Sequence, residues 1–370
     1  MAGKGLLIIL IGSIVVAGVI FSTMFRQNET AFANAVDNYR QQTVRNIAQS
    51  GVLMAVRALN DAPQWRTGYS NIAIQGGFVS VRLNDTTFNG ESLIKVVSTG
   101  SSGTRSSAIS HVTIAYVRRG YIPSTIKGAV TSNSNVQTLG NMTLDGREHD
   151  INGNLISNSG TYAIWTTQNL SQSGNSYFGG THNGVDYIPA NPGNSQIYYS
   201  NQTYPGGFPS TPDSVLGGSP AGFPQGTLKS IAQSGLNGSQ YVTNPSNLTV
   251  PLKGVTFVEL PDGSNWGAGG LDLTGSGILV VHNSTRTAQV QNLNTGTFKG
   301  IIVVDDIVRI QNTIIGAIII MSPNPPSGNC IGNGNGSILY STQAIYNAIG
   351  NISSGTQANN LTARVVLWDD

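Results

Sequence analysis

Nineteen consecutive residues without a charge, Leu6 to Met24 (LLIILIGSIVVAGVIFSTM), limit what this chain can fold into more than any other feature. At ~1.5 Å per residue the run makes a helix of roughly 28 Å, close to the ~30 Å hydrocarbon thickness of a bilayer. Lys4 precedes it and Arg26 follows it, so the flanking charges orient it only weakly. A cleaved export signal is the alternative, but the apolar region of such a signal usually runs ~7–15 residues. The small-x-small triplet Ala31–Phe32–Ala33 also lies beyond the polar stretch from Arg26 to Glu29. Length favours an uncleaved anchor.

The residues after the anchor keep a helical period. Val44, Ile47, Ala48, Val52, Ala55 and Leu59 fall on one face, while Arg40, Gln41, Arg45, Asn46 and Gln49 take the other. No proline interrupts the chain before Pro63, which is a natural stop. One continuous helix is expected, apolar all round at its start and two-faced afterwards.

KGLLIILIGSIVVAGVIF, followed by YRQQTVRNIAQSGVLMAVRAL, resembles the N-terminal region of type IV pilin-like proteins, in particular the PilX-like pilus-assembly group. The resemblance implies a short basic leader ending at Gly5, with Leu6 beginning the processed chain. Leu10 stands where major pilins carry a glutamate. A membrane location, an extracytoplasmic domain and contacts with other pilin-like subunits or a pilus or secretion machine are further implications. More weakly, the tail GNCIGNGNGSILYSTQAIYNAI, the GILVVHN segment and DGREHD together resemble the β-rich C-terminal region of the same group.

Beyond Pro63 the period changes to two. In GFVSVRL, Val79, Val81 and Leu83 alternate with Phe78, Ser80 and Arg82. SLIKVVST is a second strand, and SAISHVTIAYVRR a third with Ile109, Val112, Ile114 and Val117 as its apolar members. The short connections TTFNGE and GSSGTRS make an antiparallel meander, whose apolar face needs the helix as a cover. His111 in the third strand reads as structural.

From Ile126 onward composition decides the class. Charged residues are only 10% of the chain, against about 25% in ordinary domains, and there are 46 glycines. Net charge is only +2, and runs such as GIIVVDD and IIGAIIIM are rich in β-branched residues, so a folded β-protein fits better than disorder. The pieces NVQTLGNMTLDG, HDINGNLI, GILVVHN, TAQVQNL, IVRIQNT and IIGAIIIM are short apolar stretches parted by turn residues. Their spacing fits a β-sandwich, a barrel or a parallel β-helix; the doubly apolar runs of the last group favour a right-handed β-helix, with a β-sandwich as the alternative, and no strict repeat of one length stands out. The fold class is therefore α+β, with residues 1–62 forming leader, anchor and amphipathic helix, and 63–120 the meander. Residues 121–370 form a Gly/Asn-rich β domain. Within it, residues 191–224 are an irregular, Pro/Gly-rich excursion, Leu228 to Ser234 a brief helix, and Ser341 to Ile349 another.

The polar groups give little chemistry. Asp145, Glu148, His149 and Asp150 in DGREHD are the densest cluster; Asp145, His149 and Asp150 are candidate metal ligands, set against a polar corner that caps backbone amides. Asp305 and Asp306 are adjacent and point apart in a strand, which works against a shared acid–base site. His282 has Ser284 and Thr285 nearby, but neither a nucleophile elbow nor a carboxylate at a recognisable spacing. Cys330, the single cysteine, reads as a buried small apolar residue, and Trp165, Trp266 and Trp368 as packing residues. With 19 basic and 17 acidic side chains, nothing points to a nucleic-acid partner. No cofactor is expected. The sequence reads as a non-enzymatic, pilin-like surface protein; a membrane-anchored adhesin for a surface glycan or protein, or a carbohydrate-active β-helix enzyme, is the alternative.

Overall fold

The computed structural model describes residues 2–61, 65–74, 76–88, 91–103, 108–118, 121–270, 272–350, 352 and 363–369. One uninterrupted helix runs over Ala2–Asp61. Pro63, Asn89 and Gly90 of the connection TTFNGE, and Thr104 to Ser106 of GSSGTRS lie outside the described residues.

Strands β1 (Tyr69–Ile74), β2 (Gly77–Phe88), β3 (Glu91–Ser102) and β4 (Ile109–Arg118) pair antiparallel in sequence order. The C-terminal strand Arg364–Asp369 joins them along β4, so the end of the chain returns to the first sheet. The helix packs on this sheet with the face its period defines: Val44, Ile47, Ala48, Val52, Ala55 and Leu59 are all buried. Val79, Val81 and Leu83 face it from β2, while Phe78 is exposed. On β4 the inward side chains are Thr113, Ala115 and Val117; Val112 is exposed and Ile114 half-buried, unlike the expected apolar set. Two-residue alternation makes Val112 and Ile114 incompatible with a face that holds Val117.

Close approach explains the small residues on that face. A side chain at Gly51 of the helix would collide with Ser98 and Val79, and one at Gly100 of β3 with the helix backbone at Val44. Bare backbone on both sides lets helix and sheet sit nearer than Cβ atoms would allow.

The larger region is built from parallel strands. The chain alternates between two sheets, one ordered Asn265–Gly267, Gln289–Leu293, Asp306–Ile310, Cys330–Gly332, Val136–Thr138, Leu170–Gln172. The other runs from Gln240–Val242 through Val255–Glu259, Gly275–His282, Thr297–Val304, Thr313–Ile320, Ser337–Tyr340 and Thr143–Asp145 to Tyr177–His182, all parallel. Val185–Ala190 closes that end antiparallel. These pairings are not those of an antiparallel sandwich. Side chains from both sheets merge into one apolar core.

The strand order is not the chain order. Residues 128–182 build outward from the middle of the stack, and residues 240–340 build from the far end back towards it. The two halves meet where Ile318 to Ile320 pair with Val130 to Ser132, Cys330 to Gly332 with Val136 to Thr138, and Ser337 to Leu339 with Thr143 to Asp145. The Pro/Gly-rich excursion is the stretch that carries the chain from one end to the other. It contains only the strand Tyr198–Tyr199, a four-residue helix at Pro212–Val215 and a single turn at Ser219–Ala221.

Strands such as Gly275–His282 and Thr313–Ile320 are apolar on both faces because both are covered. The helix Thr342–Gly350 lies over Gly275–His282, Thr297–Val304 and Thr313–Ile320, and the helix Thr227–Ser234 over Gln240–Val242 and Val255–Glu259. Each buried isoleucine or valine contributes ~1.5–3 kcal/mol.

Successive strands here also share a period that is hard to see in the sequence. Gly254, Gly277 and Gly300 recur every 23 residues and stack, Gly277 and Gly300 at φ +121 and +142. A side chain at Gly300 would strike the carbonyl of Gly277, so this corner admits only glycine.

Candidate functional site

The most distinctive surface is the projecting part of the long helix. Every described side chain from Ile9 to Ala35 is exposed. Ile9, Leu10, Ile11, Ile14, Val15, Val16, Val19, Ile20, Phe21, Met24 and Phe25 are among them, at positions that cover the whole circumference. A helix apolar all round is stable only inside lipid or against other chains. Three of its four hydroxyls turn back on the helix: Ser13 donates to Ile9 O at 2.8 Å, Thr23 to Val19 O at 2.7 Å and Thr30 to Arg26 O at 2.8 Å. That arrangement suits a solvent offering no hydrogen bonds. The exposed stretch from Ile9 to Ala35 has a reach of roughly 40 Å. It is long and apolar enough to cross a membrane. Gly5 and Leu6 lie in its first turns, and their side chains fall outside the described residues.

The DGREHD cluster is a clamp between the two halves of the parallel stack. Asp145 is buried and paired with Arg147 at 2.6 Å, its Oδ2 lying 3.7 Å from His149 Nε2. The Asp145 carboxylate holds the Arg147 guanidinium above its ordinary pKa. Glu148 accepts from Thr342 N (2.7 Å) and Thr342 Oγ1 (2.8 Å), capping the helix Thr342–Gly350. Asp150 is turned to its own turn, accepting from Asn152 N and Asn154 N. So Asp145, His149 and Asp150 are not gathered as a ligand set. Among the described residues no three His, Cys, Asp or Glu side chains are placed to hold a metal ion.

Asp305 and Asp306 are both fully buried; Asp305 is not in a strand as expected but at the bend between Thr297–Val304 and Asp306–Ile310, and the two side chains take different partners. Asp305 accepts from Asn283 N at 3.0 Å and faces His282 Nδ1 at 2.8 Å. Asp306 accepts from Gln289 Nε2 at 2.6 Å, Ser327 N at 3.0 Å and Ser327 Oγ at 2.9 Å. Burial raises the Asp306 pKa despite these donors. His282 therefore does have an oriented carboxylate, which its sequence neighbourhood does not reveal because the partner lies 23 residues away, just past the end of the next strand. Glu259 occupies the equivalent place on the preceding strand, in register with His282. It is bonded by Lys229 Nζ at 2.7 Å and by the Tyr241 hydroxyl. Burial works to raise the Glu259 pKa, but these two donors outweigh it and leave the carboxyl lowered. Glu259, His282 and Asp305 thus form a polar column along one corner. Among the described residues no hydroxyl bonds the second imidazole nitrogen, so this column lacks the nucleophile of a hydrolytic triad.

Cys330 is buried where the halves meet, its thiol near Ser132 and Ser134, and burial pushes its pKa up to about 12. Trp165 and Trp266 are buried, while Trp368, on the edge strand, is 44% exposed rather than packed. Comparison of the chain with protein-family models, with curated proteins and with solved structures gives no match.

Proposed function

We propose that this chain is a pilin-like, membrane-tethered surface protein that works by display and assembly rather than by catalysis. Its single most telling feature is the division of one helix into a fully exposed apolar half and a half seated on an antiparallel meander. The exposed half would anchor the chain in the cytoplasmic membrane as a single pass, or pack beside the same helix of other pilin-like subunits. The β region would then stand outside that membrane. Alternation of the chain between two parallel sheets over a shared core supports reading that region as a coiled β-helix. The resemblance of the first residues to the PilX-like group supports cleavage after Gly5.

Expressed at full length, the protein should sediment with membranes and resist alkaline extraction, and deletion of residues 6–24 should release a folded soluble form. A wild-type chain found in the soluble fraction would defeat the anchor. Mass spectrometry in a host with prepilin peptidase should give a chain starting at Leu6, and Gly5→Val should block that cut. An intact N-terminus in the wild type would remove the pilin-processing part and leave a plain anchored surface protein.

A further inference from the structure

The junction of the two halves carries a groove whose lining no structural role explains. It has a volume of about 380 Å³ and is lined by Asn141 from the first half and by Arg309, Gln311, Asn333 and Asn335 from the second. No carboxylate and no large apolar side chain lines it. All five are exposed, and among the described residues none of their side chains makes a hydrogen bond or ion pair.

The stacking makes this more than a local dent. Tyr177, Thr143, Ser337 and Thr313 are register partners on successive parallel strands. Two residues before each stand Asn175, Asn141, Asn335 and Gln311, every one exposed. With strands ~4.8 Å apart, the row sets one carboxamide per strand over roughly 14 Å. Each carboxamide offers a donor pair and an acceptor together, the complement of neighbouring hydroxyls on a sugar ring. Arg309 adds the single cation. It sits at φ +61, a left-handed position filled on the adjoining strands by Asn292 and Gly332, which tolerate that backbone better. The fold alone gives no reason to put arginine there.

We propose that this groove binds a hydroxyl-rich, sparsely acidic saccharide chain lying along the stack, with Arg309 taking a carboxylate and the carboxamide row taking hydroxyls. A guanidinium matches a carboxylate in a two-pronged geometry. One cation among four amides suits a ligand with few charges, and a nucleic acid, with a phosphate on every unit, would call for more. The groove belongs to the β region alone, so its ligand is independent of whether the helix enters a membrane.

Purified full-length protein in detergent is titrated by calorimetry with a glucuronoxylan oligosaccharide, a hyaluronan octasaccharide, sialyllactose, neutral maltoheptaose and a short single-stranded oligodeoxynucleotide. At least one acidic saccharide should bind. Arg309→Gln should weaken it tenfold or more, Arg309→Lys less, and Gln311→Ala with Asn335→Ala at least threefold, with thermal midpoints unchanged because these side chains are exposed. Absence of binding by all three acidic saccharides overturns the proposal. So does an affinity indifferent to Arg309→Gln, or tighter binding of the oligonucleotide than of any saccharide.

Discussion

The meander and the parallel stack use apolar residues in opposite ways. In β2 every second residue is buried: Val79, Val81 and Leu83 go in, while Phe78 and Arg82 stay out. In Thr297–Val304 the last five residues are buried without a break, and in Thr313–Ile320 the last seven. The cause is the number of covers. A single helix shields one face of the meander, whereas the stack has a core on one side and the helices Thr227–Ser234 and Thr342–Gly350 on the other. A strand's sequence therefore reports how many of its faces are dry.

The largest effect should come from a charge placed in the doubly covered strand. Ile302→Asp would bury a carboxylate with no partner, at a cost of about 4–5 kcal/mol or more, enough to unfold a domain of ordinary stability. Arg82→Glu on the wet face of β2 should change stability by less than about 0.5 kcal/mol. Chemical denaturation of both variants measures the contrast. Comparable losses would mean that the outer face of the meander is covered too.

Next comes the seat of the helix. Gly51→Ala improves helix propensity by roughly 1 kcal/mol, but its Cβ would overlap Ser98 and Val79. Overpacking of this kind costs about 1–3 kcal/mol, so a net loss near 1 kcal/mol is expected. Hydrogen exchange should place that loss in the helix and β2–β3 and leave the strands from Val255 to Ile320 untouched. A net gain would show that helix and sheet can part without penalty.

How much of the molecule is legible in its sequence depends on whether the signal is local. The single helix and its buried face can be read from six apolar positions, because a helical period needs only near neighbours. In β4 the inward face is filled by Thr113 and Ala115, small residues suited to close approach, and hydrophobicity points to Val112 and Ile114 instead. The 23-residue period is present: GVTFVE, GILVVH and GIIVVD each begin with the stacked glycine and end with Glu259, His282 and Asp305. It is obscured because the next member, GAIIIM, follows only 16 residues after Gly300 and ends in Met321. Aligning those segments by their glycines pairs His282 with Asp305 from the sequence alone. The meeting of residues 128–182 with the end of the stack has no comparable signal. It is a long-range pairing, and so is the groove it creates.

The smallest expected effect tests a corner of the stack where a carboxyl group is already buried. Asp306 is held by Gln289 and Ser327, yet burial raises its pKa from the ordinary value. A carboxyl raised in the folded state holds its proton more tightly there than in the unfolded chain. Its contribution is then greatest below the unfolded pKa, and it declines as pH climbs from that value through the folded one. Asp306→Asn has no proton to lose, so the decline should vanish and the stability–pH curve flatten over the weakly acidic range. At fixed pH the change should be about 1 kcal/mol or less, because one amide oxygen can still accept from a donor. Thermal midpoints of both proteins across that range decide the matter. Parallel curves would mean that water reaches the Asp306 carboxylate, and the parallel stack would then be less dry at its corner than along its strands.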